Sequence, residues 1–461
     1  AVLKKVKGLN PQQLPNLKAH LYKQLLHSLR QKPMNKDAEI QLHELMDFAK
    51  VLYNKGLYKQ ALKTLGKAKD MAQQYKKQVI HLEIIEFEKL IELQYITRST
   101  PRRAEELTGE AAWMLQQLSQ SVYYSNFALQ LYDFYLKHGH VNNPEDLQRV
   151  HDFFKAHAPK EEPQEGQPFF ARLHIYQGYV WYHYITQDFL ACYKYAQKWV
   201  DLFSEYPSML DFHPDIYLKG VHNLLSSLYR LAHVSKFREV LQGIKAQHEA
   251  GRLPFTRNNE VRYWLYYYTH SMNLHFLLGT FSEGLALAED VEAFVEGNEK
   301  FLDNHRILIF YFKLASMYFG SGDARASIRY LNKILQYQEI SLRRDIQVYA
   351  RLLNLIAHYE VGNEGLIEYQ VKSTYRFLSK LDQPGQYTRY ILAFLRRLGQ
   401  IGPEGLDAEF RKLHHELTQL KSDPFERRAL QYLDIISWLE SKMQHRPVQE
   451  IIQEKIQCKT A

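Results

Sequence analysis

Residues Tyr311 to Leu335, YFKLASMYFGSGDARASIRYLNKIL, constrain the fold more than any other stretch, because they read as two helices folded back on each other about Gly322-Asp323. Spacings of three and four put Ala315 and Tyr318 on one face of the first helix, and Ser327, Leu331 and Ile334 on one face of the second. Gly322 adopts a left-handed conformation without a Cβ penalty, and Asp323 is placed to cap the helix that follows. The unit is a helical hairpin that cannot shield its apolar side alone, so it calls for neighbours of the same kind.

Leu42 to Ala72 repeats the pattern, with Ala49, Leu52, Gly56, Tyr58, Ala61, Leu65 and Ala68 in the order small, large, Gly, aromatic, Ala, large, Ala. That order resembles the tetratricopeptide repeat, and it implies an all-α fold: an irregular, right-handed, tetratricopeptide-like α-solenoid of antiparallel helix hairpins. Weaker copies turn near Gln187, Lys236, Gly279 and Gly362, and with Gln187, Val234, Gly279, Gly322 and Gly362 as equivalent positions the steps are 47, 45, 43 and 40 rather than 34. As a whole the chain also resembles helical-repeat proteins of Bacteroidetes bacteria, a likeness that implies no activity.

Apolar periodicity predicts further helices at Leu14 to Gln31, Gln78 to Thr97, Pro101 to Ser119, Ser121 to His138 and Pro144 to His157, and a late capping helix at Pro424 to Gln444. The Pro, Gly and charge-rich stretch 158–168 reads as a linker between a basic helical region, 1–157, carrying the clear repeat 42–72, and a repeat array with capping helices, 169–461. Pro384-Gly385 and Gly402-Pro403 punctuate the array.

The net charge of +8 is concentrated at one end. Residues 1–103 hold 20 Lys or Arg against nine acidic residues, and no acid precedes Asp37. Lys4, Lys5, Lys7, Lys18, Lys23 and Arg30 are therefore candidates for contact with an anionic partner, nucleic acid included. Two cysteines, Cys192 and Cys458, do not make a disulfide framework. No run of about 18 apolar residues spans a bilayer and the start lacks a signal-peptide core, so a cytoplasmic protein is expected, its opening on Ala1 suggesting a processed beginning.

The catalytic inventory is thin. Gly320-Ser321-Gly322 completes neither a phosphate loop nor a nucleophile elbow. His138, His140, His151 and His157 match no metal spacing, Cys192 falls where the repeat wants a small core residue, and Glu83, Glu86 and Glu88 read as helix charge. No enzyme activity, cofactor or metal is expected. Registering the repeats instead yields a concave surface of Gln177, Trp181, Tyr184, Tyr266, Asn273, Phe276, Phe312, Ser316, Phe319, Tyr349 and Tyr359. Rings with scattered polar groups suit a peptide or an amphipathic helix, which points to a protein-binding scaffold or adaptor. The chaperone-binding branch of the resembled family grips a chain-end carboxylate with Asn and Lys or Arg; only Asn273 among Trp181, Leu228, Ser316 and Ile356 fits, so that clamp is not expected. A repeat sensor of a ligand or signalling peptide is the remaining alternative.

Overall fold

A computed structural model describes residues 12, 14–31, 38–94, 102–141, 143–163, 166–253, 256–337, 344–378, 385–398, 403–423, 426 and 433–460. Every regular element among them is helical. Lys4, Lys5, Lys7, Pro384, Gly402 and Pro424 lie outside the described residues.

The hairpin at 311–335 forms as its sequence dictates. Helix Asn304–Gly320 and helix Ala324–Leu335 run antiparallel: Tyr318 stacks on Tyr330 at 5.4 Å, and the Lys333 ammonium sits 4.9 Å over the Tyr311 ring. Gly322 takes φ +95°, and the Asp323 carboxylate accepts from the Ala326 N–H at 2.9 Å. Ala315, Ser327, Leu331 and Ile334 are fully buried.

One backbone closure recurs along the chain. The N–H of Leu57, Asp188, His233, Thr280, Asp323 and Asn363 each donates to the carbonyl five residues earlier, at 2.9 to 3.0 Å, behind a left-handed residue. This is the helix-ending motif in which a positive φ lets the chain turn back and satisfy a terminal carbonyl. At these six turns the left-handed residues are Gly56, Gln187, Ala232, Gly279, Gly322 and Gly362. The turn expected at Val234 thus pivots on Ala232.

The chain contributes to two compact units. One comprises Ala1–Leu129, Pro159–Ile175 and Leu202–His213. In it, helices Ala38–Asn54, Tyr58–Gln74 and Gln78–Gln94 pack around Leu42, Ala49, Ala61, Leu65, Ala68, Ile80, Ile84 and Ile91. Beside this core the buried Glu88 pairs with Lys69 at 2.5 Å and Arg103 at 3.1 Å, while Glu110 meets Lys69 at 2.8 Å and His81 at 2.9 Å. Burial would raise the Glu110 carboxyl, but its bonds to Lys69 and His81 hold it below the usual range. Glu88 is thus committed to an ion network. The two helices expected on either side of residue 120 are one, Arg103–His138, because nothing between them breaks a helix and the Ser121 hydroxyl bonds back to the Gln117 carbonyl at 3.1 Å.

The other unit comprises Gln130–Ala158, Tyr176–Asp201 and Pro214–Ala461. Its core runs through Phe310, Leu314, Leu331, Leu353, Phe394, Phe410 and Trp438. Small residues let its helices cross closely: a Cβ on Gly320 would fall 2.7 Å from the Phe281 ring, and one on Gly284 2.7 Å from the Met317 sulfur. The late capping helix expected from Pro424 instead begins at Ile435 and ends at Gln444: Leu433 and Asp434 before it are not helical, and the Asp434 carboxylate accepts from Ser437 N–H at 3.0 Å to start it. Glu360 ties it down, accepting from Trp438 Nε1 at 2.6 Å and pairing with Lys442 at 2.5 Å.

Candidate functional site

The second unit contains a cavity of about 1330 Å³. Four helices supply most of its polar wall: Phe169–Ile185, Pro214–Arg230, Arg257–Leu278 and Asn304–Gly320. Each carries an apolar face into the core and leaves the other toward the hollow. In Pro214–Arg230 the division is clear, with Leu218, Val221, Leu224, Leu225 and Leu228 buried while Lys219, His222, Asn223, Ser226 and Arg230 line the cavity.

Nine of the eleven residues expected on a concave surface line this one cavity: Trp181, Tyr184, Tyr266, Asn273, Phe276, Phe312, Ser316, Phe319 and Tyr349. Asn273 and Phe312 are buried and the other seven partly buried. Gln177 is partly buried but not in the lining, and Tyr359 turns edge-on to Trp438 at 6.2 Å. The rings form a connected wall: Tyr132 lies 4.6 Å from Trp181, Tyr135 stacks on Trp181 at 5.4 Å, and His222 lies flat on Tyr266 at 4.2 Å.

Charge in the lining is one-sided. Lys137, Lys219, Arg230, Arg306 and Lys313 face Asp303 and Asp434, and both aspartates already serve as helix caps. Lys137 pairs with Asp133 at 2.6 Å and Arg306 with Asp303 at 3.5 Å. Lys313 donates to the Asn273 carbonyl oxygen and sits 5.2 Å over the Phe276 ring. Lys219 has no carboxylate within reach among the described residues; its ammonium lies 5.6 Å over Trp181. Burial first, and then the repulsion of Arg306 and Arg262, bring Lys219 down to about 8. None of these cations emerges from the repeat register, since it tracks small and aromatic positions. A polar run at 219, 222, 223, 226 and 230, one face of a helix, is the signal that finds them.

Elsewhere the expected chemistry finds other partners. His140 Nδ1 donates to the Tyr184 carbonyl at 2.7 Å, His151 meets the Tyr182 hydroxyl at 2.6 Å and His157 donates to the Phe153 carbonyl at 2.9 Å. The His138 side chain lies outside the description. No group of three or more His, Cys, Asp or Glu among the described residues could hold a metal ion. Cys192 is buried, accepts from the Ser227 hydroxyl at 3.1 Å, and burial pushes its thiol up to about 12, the opposite of what a nucleophile needs. Lys18 and Lys23 are exposed on helix Leu14–Gln31, which also carries Arg30. Among the described residues no helix is long and apolar enough to cross a membrane. In comparisons with known proteins, no family model, curated protein or solved structure matches the chain.

Proposed function

We propose that this chain is an irregular tetratricopeptide-like α-solenoid acting in the cytoplasm as a non-catalytic scaffold or adaptor, and that it holds a segment of a partner protein in the cavity of its second unit. The observation that carries this reading is the convergence of nine side chains from successive helices on one hollow. Its volume, about 1330 Å³, exceeds the roughly 300–1,000 Å³ of small-ligand pockets and suits a stretch of polypeptide. Rings supply contact area at little cost in side-chain entropy, and Asn273, Ser316 and Thr269 supply points to fix register. The repeated turn supports the solenoid, because one closure used again and again between successive helices builds hairpins of one kind.

The test is site-specific crosslinking in the native cell extract. A photoreactive benzoylphenylalanine at Phe319 is expected to trap a discrete protein, and the same group at the exposed Lys245 is not. Trp181→Ala should abolish the adduct while leaving the circular dichroism unchanged. An adduct that survives that change, or equal trapping from both positions, refutes the reading.

A further inference from the structure

The polar groups of the cavity are arranged as a relay of donors. Because Lys313 donates to Asn273 Oδ1, the other atom of that amide, Nδ2, is the donor to His270 Nδ1 at 3.3 Å. His270 therefore carries its proton on Nε2, which faces His222 Nδ1 at 2.9 Å. Burial, then Lys313, brings His270 down to about 3; burial, then His270, Lys219 and Arg306, holds His222 well below its usual value. Both rings are neutral, so His222, accepting at Nδ1, bears its proton at Nε2. The chain Lys313, Asn273, His270, His222 thus ends in an N–H on a residue of the cavity wall.

Two more donors stand beside it on the same helical face. Lys219, one turn away, has no carboxylate among the described residues, and Asn223, 8% exposed, keeps its amide nitrogen buried without a hydrogen-bond partner. A buried donor with no acceptor is costly, so an acceptor brought to this helical face is favoured. Ammonium, imidazole N–H and amide within five residues of one helix call for an acceptor-only group, and a carboxylate is that group in a peptide.

We propose that the cavity receives an acidic peptide segment, with Lys219, His222 Nε2 and Asn223 Nδ2 donating to its side-chain carboxylates while its apolar side chains lie against Trp181 and Tyr266. This rests on the segment-holding reading above. A nucleic acid strand fits less well, since Lys137 and Arg306 are already matched by Asp133 and Asp303 and the surplus left is small for a run of phosphates.

The experiment is a fluorescence anisotropy titration of the full chain with three labelled decapeptides, amidated at their ends so that no chain-end carboxylate takes part. They alternate Tyr with Glu, Gln or Lys. The Glu peptide should bind at least about tenfold tighter than the Gln peptide, and the Lys peptide should not bind. Lys219→Gln should weaken the Glu peptide by about tenfold or more and leave the Gln peptide unchanged, and Asn223→Asp should act in the same direction through repulsion. Equal binding of the Glu and Gln peptides, or a Glu peptide indifferent to Lys219→Gln, overturns the acidic assignment; the segment-holding reading then survives only if Trp181→Ala removes the Gln peptide. Failure of every peptide to bind overturns both. Tighter binding of a short oligothymidylate that is lost in Lys219→Gln replaces the peptide by nucleic acid.

Discussion

Lys219 is placed where the folded chain works against its charge. An ordinary lysine near 10.5 here sits at about 8, because burial and the neighbouring Arg306 and Arg262 disfavour the ammonium. Between those values the unfolded chain binds a proton that the folded one does not, so stability rises with pH across the window and the full penalty stands below about pH 8. Lys219→Met should therefore raise stability at pH 7 by about 1–3 kcal/mol, allowing for partial exposure, and the gain should shrink toward pH 10. Urea unfolding at the two pH values reads this directly; a variant that is destabilised at pH 7 contradicts it. Ligand affinity should fall as pH rises from 7 to 9, as Lys219 loses its charge beside Arg306, Arg262, the neutral His222 and the Trp181 ring. A residue that costs stability while lining a cavity is the pattern of a functional group. The ring wall was legible in the sequence because repeats carry their own register. The donors were not, because the relay joins residues 40 and 48 positions apart, and no local pattern encodes which amide atom faces which imidazole.

Among the elements, the turns divide by how visible they were. Gly56, Gly279, Gly322 and Gly362 announce a left-handed residue, whereas Gln187 and Ala232 adopt the same conformation with a Cβ and give no signal. Between Gln187, Ala232, Gly279, Gly322 and Gly362 the observed steps are 45, 47, 43 and 40, wider than 34, and helices such as Arg257–Leu278 are correspondingly long. The sequence predicts two helices where Arg103–His138 is one for a related reason: its serines and glutamines weaken an apolar period that the backbone does not interrupt. The turns make a paired prediction. Ala232→Gly removes a Cβ penalty and should stabilise by about 1 kcal/mol, while Gly322→Ala, at φ +95° with no atom within 4 Å of the added methyl, should destabilise by a similar amount through backbone strain alone. Opposite shifts in the urea midpoint are expected, and shifts of the same sign would show that the two turns are not built alike.

At the scale of the whole molecule, a helix packed against elements distant in sequence covers apolar surface that would otherwise meet water. In the second unit helix Val448–Thr460 does this, burying Ile451 and returning to a turn far away in sequence. Gln453 Nε2 donates to the Gly279 carbonyl at 3.0 Å, Ser282 N–H donates to Gln449 at 2.9 Å, and Lys455 pairs with Glu440 at 2.5 Å. Gly279 is needed here twice, for its φ of +65° and because a Cβ would lie 3.1 Å from Ile452 and Gln453. Val448 and Ile452 also line the cavity, so the cap and the candidate site share residues. Ending the chain after Arg446 should then cost about 3 kcal/mol, the order expected for one or two buried isoleucines together with the bonds to the 279 turn. It should also weaken the acidic decapeptide even though Lys219, His222 and Asn223 are untouched. If the truncated protein unfolds at the same urea concentration and binds as before, the last helix is neither a cap nor a wall, and the cavity is complete without it.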